Sequence, residues 1–239
     1  MVSWVRRRRG VIEQSRSSAR RRRPTGFEKV DFSDLTPDVD SYLGQAAYVQ
    51  LGFFQVLSEL SVTTSDLGAK QIIAQAAGFA LAKHEGIVSE IGRREKKADE
   101  AMAPFAPAVD EFLLSTAGAT KNEALLSVYI TQGFLDDLYI GLTDGLPSDV
   151  GPRIASLLGS DSGANGLVTL LTEAIDVDPK RADFLAMWGR RLVGDTLLLA
   201  HHALRINPGS ATEEARVEPV FTELIATHTR RMDALGLTA

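Results

Sequence analysis

Proline sets the limits of what this chain can fold into. Pro37, Pro104, Pro107, Pro147, Pro152, Pro179, Pro208 and Pro219 leave long proline-free intervals. Proline is costly inside a helix, so those intervals are the candidate helices. Within them apolar residues recur at steps of three and four, the spacing of a single helix face.

Thr36-Pro37-Asp38 predicts a first helix over about 38–61, with a capping hydroxyl, proline at the first helical position and an acid in the first turn. Its inward face is expected to carry Leu43, Ala47, Leu51, Phe54 and Leu57. A second helix over about 66–97 places Ile73, Ala76, Phe79, Ala80, Ile87 and Ile91 inward and ends in the largely cationic run Arg93 to Lys97. A short helix near 109–114 precedes a third long one over about 121–144, with Leu125, Val128, Phe134 or Leu135, and Leu138 inward. Shorter segments at about 153–158 and 165–176 flank the Gly159 to Gly163 loop. Two more long helices are expected at about 180–206 and 212–235, the second delayed or kinked by Pro219. No period-two alternation marks a strand. Long helices joined by short breaks pack most simply as an antiparallel bundle. The expected fold is therefore all-α, with additional short helices.

Charge divides the chain in two. Residues 1–25 hold nine arginines against one acid, Glu13, so this segment carries +8 and the remainder, from a chain total of −5, carries −13. Such a run cannot bury a core, and residues 1–35 are expected to be a disordered basic tail ahead of a helical domain over 36–239. The arginines of residues 6–23 offer attraction to RNA, although only Trp4 could stack on a base. The tail lacks the apolar core of a secretory signal, and no later stretch is long and apolar enough to span a bilayer. The reading is a cytoplasmic protein without a membrane span. With 44% hydrophobic and 24% charged residues, a wholly disordered or polytopic membrane chain is excluded. With no cysteine, disulfides, thiolate nucleophiles and iron–sulfur clusters are excluded as well.

A long-helix bundle raises the question of a carboxylate-bridged metal pair, which needs a Glu from each of two helices and Glu-x-x-His from each of the other two. No Glu-x-x-His occurs, and histidine is confined to His84, His201, His202 and His228. The first helix has no carboxylate between Asp40 and Glu59, so its middle offers only Gln50 and Gln55. A neutral amide lacks the charge that balances hard cations. The other candidate polar positions are His84, Glu85, Asp136, Asp137, Arg191 and Asp195. Lys83-His84-Glu85 reads as a solvated face. Of Asp136 and Asp137, at least one is expected to face inward against a basic side chain. Asp195 lies four residues after Arg191, the spacing of an intrahelical ion pair. His201-His202 suits the end of a helix.

Three strings resemble a known family: Gln50-Leu51-Gly52-Phe53-Phe54-Gln55, Glu100-Ala101-Met102-Ala103-Pro104-Phe105, and Trp188-Gly189-Arg190-Arg191-Leu192-Val193-Gly194-Asp195. They are similar to actinobacterial ferritin-like proteins grouped with the tRNA hydroxylases that act on 2-methylthio-isopentenyl-adenosine. The resemblance covers about 38–206 and implies a ferritin-like bundle. In members with an intact site it also implies two iron ions and oxygen chemistry. Here the departures fall on the metal. Gln55 stands where the first helix of the family carries Glu, and the second helix offers only His84 and Glu85. Ser162 to Gly166 replaces the segment of a later His, and Asp195 stands where the family often has Glu. The resulting expectation is a bundle with a degenerate metal site, no metal, a binding or structural role and the capacity to form a homo-oligomer. The alternatives are a di-iron tRNA hydroxylase with ligands from Glu85, Asp136, Asp137, Asp195 and a histidine, and an RNA-associated protein acting through its arginine tail.

Overall fold

The computed structural model describes residues 35–204 and 211–239, with side chains of the second segment from residue 217 onward. The basic tail expected over residues 1–35 lies almost wholly outside the described residues. Within them the chain is all-α. In order, the helices are α1 (Val39–Thr63), α2 (Leu67–Arg93), α3 (Ala98–Met102), α4 (Ala106–Ser115), α5 (Lys121–Leu142), α6 (Gly151–Leu158), α7 (Ala164–Val177), α8 (Lys180–Ala203) and α9 (Ala211–Asp233).

The helix ends follow local chemistry. Asp38, not Thr36, caps α1, its carboxylate accepting the Ser41 backbone N–H at 3.0 Å. Thr36 is drawn away by a buried hydrogen bond from its hydroxyl to the Leu142 carbonyl at 2.8 Å. Asp66 caps α2 in the same way, and Thr120 with Glu123 forms a reciprocal capping box on α5. The second helix stops at Arg93, four residues short of the expected end. Glu95 adopts φ +59°, and the Arg94 and Lys96 backbone N–H groups turn back onto the Ile91 carbonyl. That reversal frees Ala98–Met102 to form α3, a short helix that no sequence signal marked. Between α6 and α7 the chain needs φ +75° at Gly163, which glycine adopts without strain. Pro219 neither delays nor ends α9, which runs through it.

α1 and α2 form an antiparallel hairpin closed by Thr64 to Asp66. α5 runs antiparallel to α1: Thr36 meets Leu142, Tyr42 meets the Tyr139 carbonyl, and Gln50 meets Asp136. α5 is buried around most of its circumference, because α1, α6, α7, α8 and α9 all pack on it. The core is one continuous cluster running from Leu43, Phe53 and Leu57 through Ile73 and Ile87 to Phe134, Leu135, Leu192 and Val220. Leu51 and Phe54 are only half-buried, since the inward stripe of α1 runs through Ala46, Gln50, Phe53 and Leu57 instead. α8 turns Leu185, Gly189, Leu192, Thr196 and Leu199 inward and leaves Phe184, Met187 and Leu198 exposed.

The backbones of α1 and α3 touch at Gly44, where a Cβ would overlap the Ala101 carbonyl oxygen. Gly44→Ala is therefore expected to cost about 1–3 kcal/mol of unfolding free energy, because backbone must move. Gly78→Ala, on an exposed part of α2 where an added Cβ meets nothing, is expected to gain about 0.5–1 kcal/mol. Urea denaturation of the two variants checks both signs.

Candidate functional site

Three long helices bring one polar group each to the interior of the bundle. Asp136 of α5 accepts from the Gln50 side-chain amide of α1 at 2.7 Å on one oxygen and from the Lys83 ammonium of α2 at 2.6 Å on the other. Gln50 is fully buried, Lys83 is 1% exposed and Asp136 7%. Their arrival follows from helical register. Lys83 lies three residues after Ala80 and four before Ile87, on the same face as Ile73, Ala76 and Ile91. Gln50 lies in the matching stripe of α1. Burial pushes the Asp136 carboxyl above the usual carboxylate range, against the opposing pull of Lys83 and Gln50.

The surrounding polar groups are also tied down. The Tyr42 hydroxyl donates to the Tyr139 carbonyl at 2.7 Å, and the two rings meet edge to face at 5.6 Å. Burial pushes both phenol groups up. The Trp188 indole N–H donates to the Ser127 hydroxyl at 2.8 Å, joining α8 to α5. Nearer the α2 C-terminus, buried Glu90 accepts Arg153 on both oxygens, at 3.1 and 2.7 Å, and Arg93 at 2.7 Å. The Arg153 hydrogen bonds hold its carboxyl below the usual carboxylate range.

The candidate positions from the sequence reach several different places. Asp136 is in the interior node. Asp137, about 100° further around α5, accepts the Arg231 guanidinium of α9 at 2.7 Å. The expectation was a basic partner for at least one of the two, and both have one. Gln55 is exposed. Five residues carry a helix about 140° around from Gln50, so only one of the two can face inward. Glu85 is exposed, and His84 Nδ1 lies 2.9 Å from the Ala47 carbonyl. Lys83, read as the start of a solvated face, is instead among the most buried side chains of the bundle. The signal was present: its register with Ala80 and Ile87 outweighs the charge of its neighbours. Arg191 is exposed and lies over the Trp188 ring at 5.1 Å. Asp195 lies in a cavity of about 210 Å³ between α4 and α8, with Glu111, Ser115 and His202, and its buried Oδ2 has no partner among the described residues.

A metal pair does not fit these residues. At the node the one carboxylate has an amide on one oxygen and an ammonium on the other, and Lys83 Nζ occupies the position a cation would need. Among the described residues, no three of the His, Asp and Glu side chains come together as a metal-binding group. No helix among them is long and apolar enough to cross a membrane.

The family model of the ferritin-like domain of actinomycetes matches residues 36–207. No curated protein matches the chain.

Proposed function

The chain belongs to the ferritin-like domain family of actinomycetes, and on that premise we propose that it is a non-catalytic member in which a buried ion pair stands in for the metal centre. Its role is binding or structural. The observation that carries this reading is the Lys83–Asp136 contact at 2.6 Å. An ammonium supplies one fixed positive charge to the interior carboxylate, held by a covalent side chain, and the amide of Gln50 completes the carboxylate's hydrogen bonding. The site is thereby neutralised without iron.

We infer kinship with the tRNA hydroxylases from the Trp188 to Asp195 string, whose residues have structural tasks here. Trp188 bonds α5, Gly189 gives room to Met232 of α9, Arg190 donates to the Thr238 carbonyl at 2.7 Å, and Leu192 is core. Such tasks account for the string without a ligand role. Elemental analysis after iron-replete expression tests the proposal. The expected result is iron far below stoichiometry; about two irons per chain, as a di-iron bundle holds, would overturn it.

A second reading rests on the nine arginines of residues 1–25 against a body of −13. They would supply salt-dependent RNA affinity to the otherwise acidic protein. Deleting residues 1–25 is expected to abolish RNA binding in a filter or mobility-shift assay, and equal binding by the shortened chain would refute it.

A further inference from the structure

We propose that the cavity of about 190 Å³ between α2, α5, the α6–α7 loop and α9, next to the Lys83–Asp136 pair, binds a small oxyanion, a carboxylate or a phosphate. Its polar lining is Lys83, Gln132, Asp136, Asp137 and Arg231, with Ser160 and Ser162 of the α6–α7 loop at its edge. It is more than ten times the roughly 10–15 Å³ that one water needs.

Gln132 is 2% exposed, its Nε2 is buried, and its side chain has no hydrogen bond among the described residues. Arg231 donates through Nη2 alone, to Asp137 at 2.7 Å and to the Gly133 carbonyl at 2.9 Å, and its buried Nη1 has no partner. Lys83 makes a single hydrogen bond, to Asp136, which leaves two of its three N–H groups without a partner shown among the described residues. The two carboxylates are each neutralised by one of the two cations. What remains in the cavity is a set of unpaired N–H groups on Lys83, Gln132 and Arg231, two of the three side chains cationic, none of which reaches the Asp137 oxygen that Arg231 leaves free. Buried donors without acceptors are costly, and an oxyanion supplies several acceptor lone pairs at once.

The local backbone is shaped for this. A Cβ at residue 133 would overlap the Arg231 guanidinium, so Gly133 lets that group lie flat against α5. Arg231 belongs to α9, beyond the residues 36–207 that the family model matches. The site is incomplete without that helix.

The proposal gives a ligand class to the binding role proposed above and rests on that reading. Iron loading would undo the reading, whereas failure of the oxyanion titration would undo only this site. The test uses the full chain, titrated by calorimetry with inorganic phosphate and with acetate against chloride at matched ionic strength. Saturable binding of phosphate or acetate is expected, weakened about tenfold or more in Gln132→Leu. Phosphate held by the arginines of residues 6–23 would survive that substitution, and such survival overturns the proposal. So do equal binding of chloride and the absence of saturable binding, which would leave water as the occupant. Should Gln132→Leu fail to fold, the Gln132 side-chain amide resonance in the unaltered protein gives the same answer. It should shift saturably with the bound anion, and an unmoved resonance refutes the site.

Discussion

Lys83→Met is expected to lower the unfolding free energy by about 3–5 kcal/mol, the range for breaking one side of a buried ion pair. The methionine fills most of the lysine volume, so little of the loss comes from a cavity. The loss comes from Asp136, which keeps only the Gln50 amide and must either stay charged without a counter-ion or take up a proton. Burial already pushes its carboxyl up while Lys83 is present, and removing the ammonium removes the largest opposing effect. The double variant Lys83→Met/Asp136→Leu should recover most or all of the stability, because paired buried charges are often matched by well-packed apolar groups. Urea denaturation followed by circular dichroism measures both. A Lys83→Met cost below about 1 kcal/mol would mean that the pair is solvated.

Acid should weaken the fold in part through His228. The residue is 2% exposed in α9, and neither ring nitrogen has a partner among the described residues. Burial, with Arg231 nearby, pushes its pKa from 6.5 down to about 4. The folded state thus keeps the ring neutral where the unfolded chain protonates it. Stability contributed by the neutral ring is complete above pH 6.5 and falls as pH drops toward 4. The loss is about 2 kcal/mol at pH 5 and about 3 kcal/mol at pH 4 relative to pH 8. His228→Leu should flatten that limb. The difference in unfolding free energy between the two proteins, measured from pH 8 to pH 4, isolates this residue from the carboxylates. A constant difference across that range would show that the imidazole titrates alike in the folded and unfolded protein.

The bundle was readable from sequence because its determinants are local. Proline, Asp66 and the Thr120–Glu123 box fix helix ends within a few residues, and step-three and step-four spacing marks Ile73, Ala80, Ile87 and Leu138 as core. The misreadings had tertiary causes. α2 ends early, at Arg93, and the chain reverses at Glu95 so that α3 packs onto Gly44, a contact that no local pattern encodes. Leu51 and Phe54 are only half-buried because the stripe of α1 that meets its neighbours runs through Gln50, Phe53 and Leu57. The polar node was half legible. The absence of a carboxylate in the middle of α1 and the pairing of the two aspartates followed from residue type. Lys83 was hidden by a charged neighbourhood, and choosing Gln50 over Gln55 required the register of α1 against α5. Arg231 was out of reach, because it approaches Asp137 from 94 residues away in the chain.

The central claim is that an ammonium occupies the place of a metal in the bundle interior. The most direct measurement is a crystal soaked in ferrous iron, with diffraction recorded at the iron absorption edge. The account predicts Lys83 Nζ within hydrogen-bonding distance of Asp136 and no anomalous peak between α1, α2 and α5. A strong peak there, with Lys83 swung aside and Asp136 turned toward it, would contradict the account.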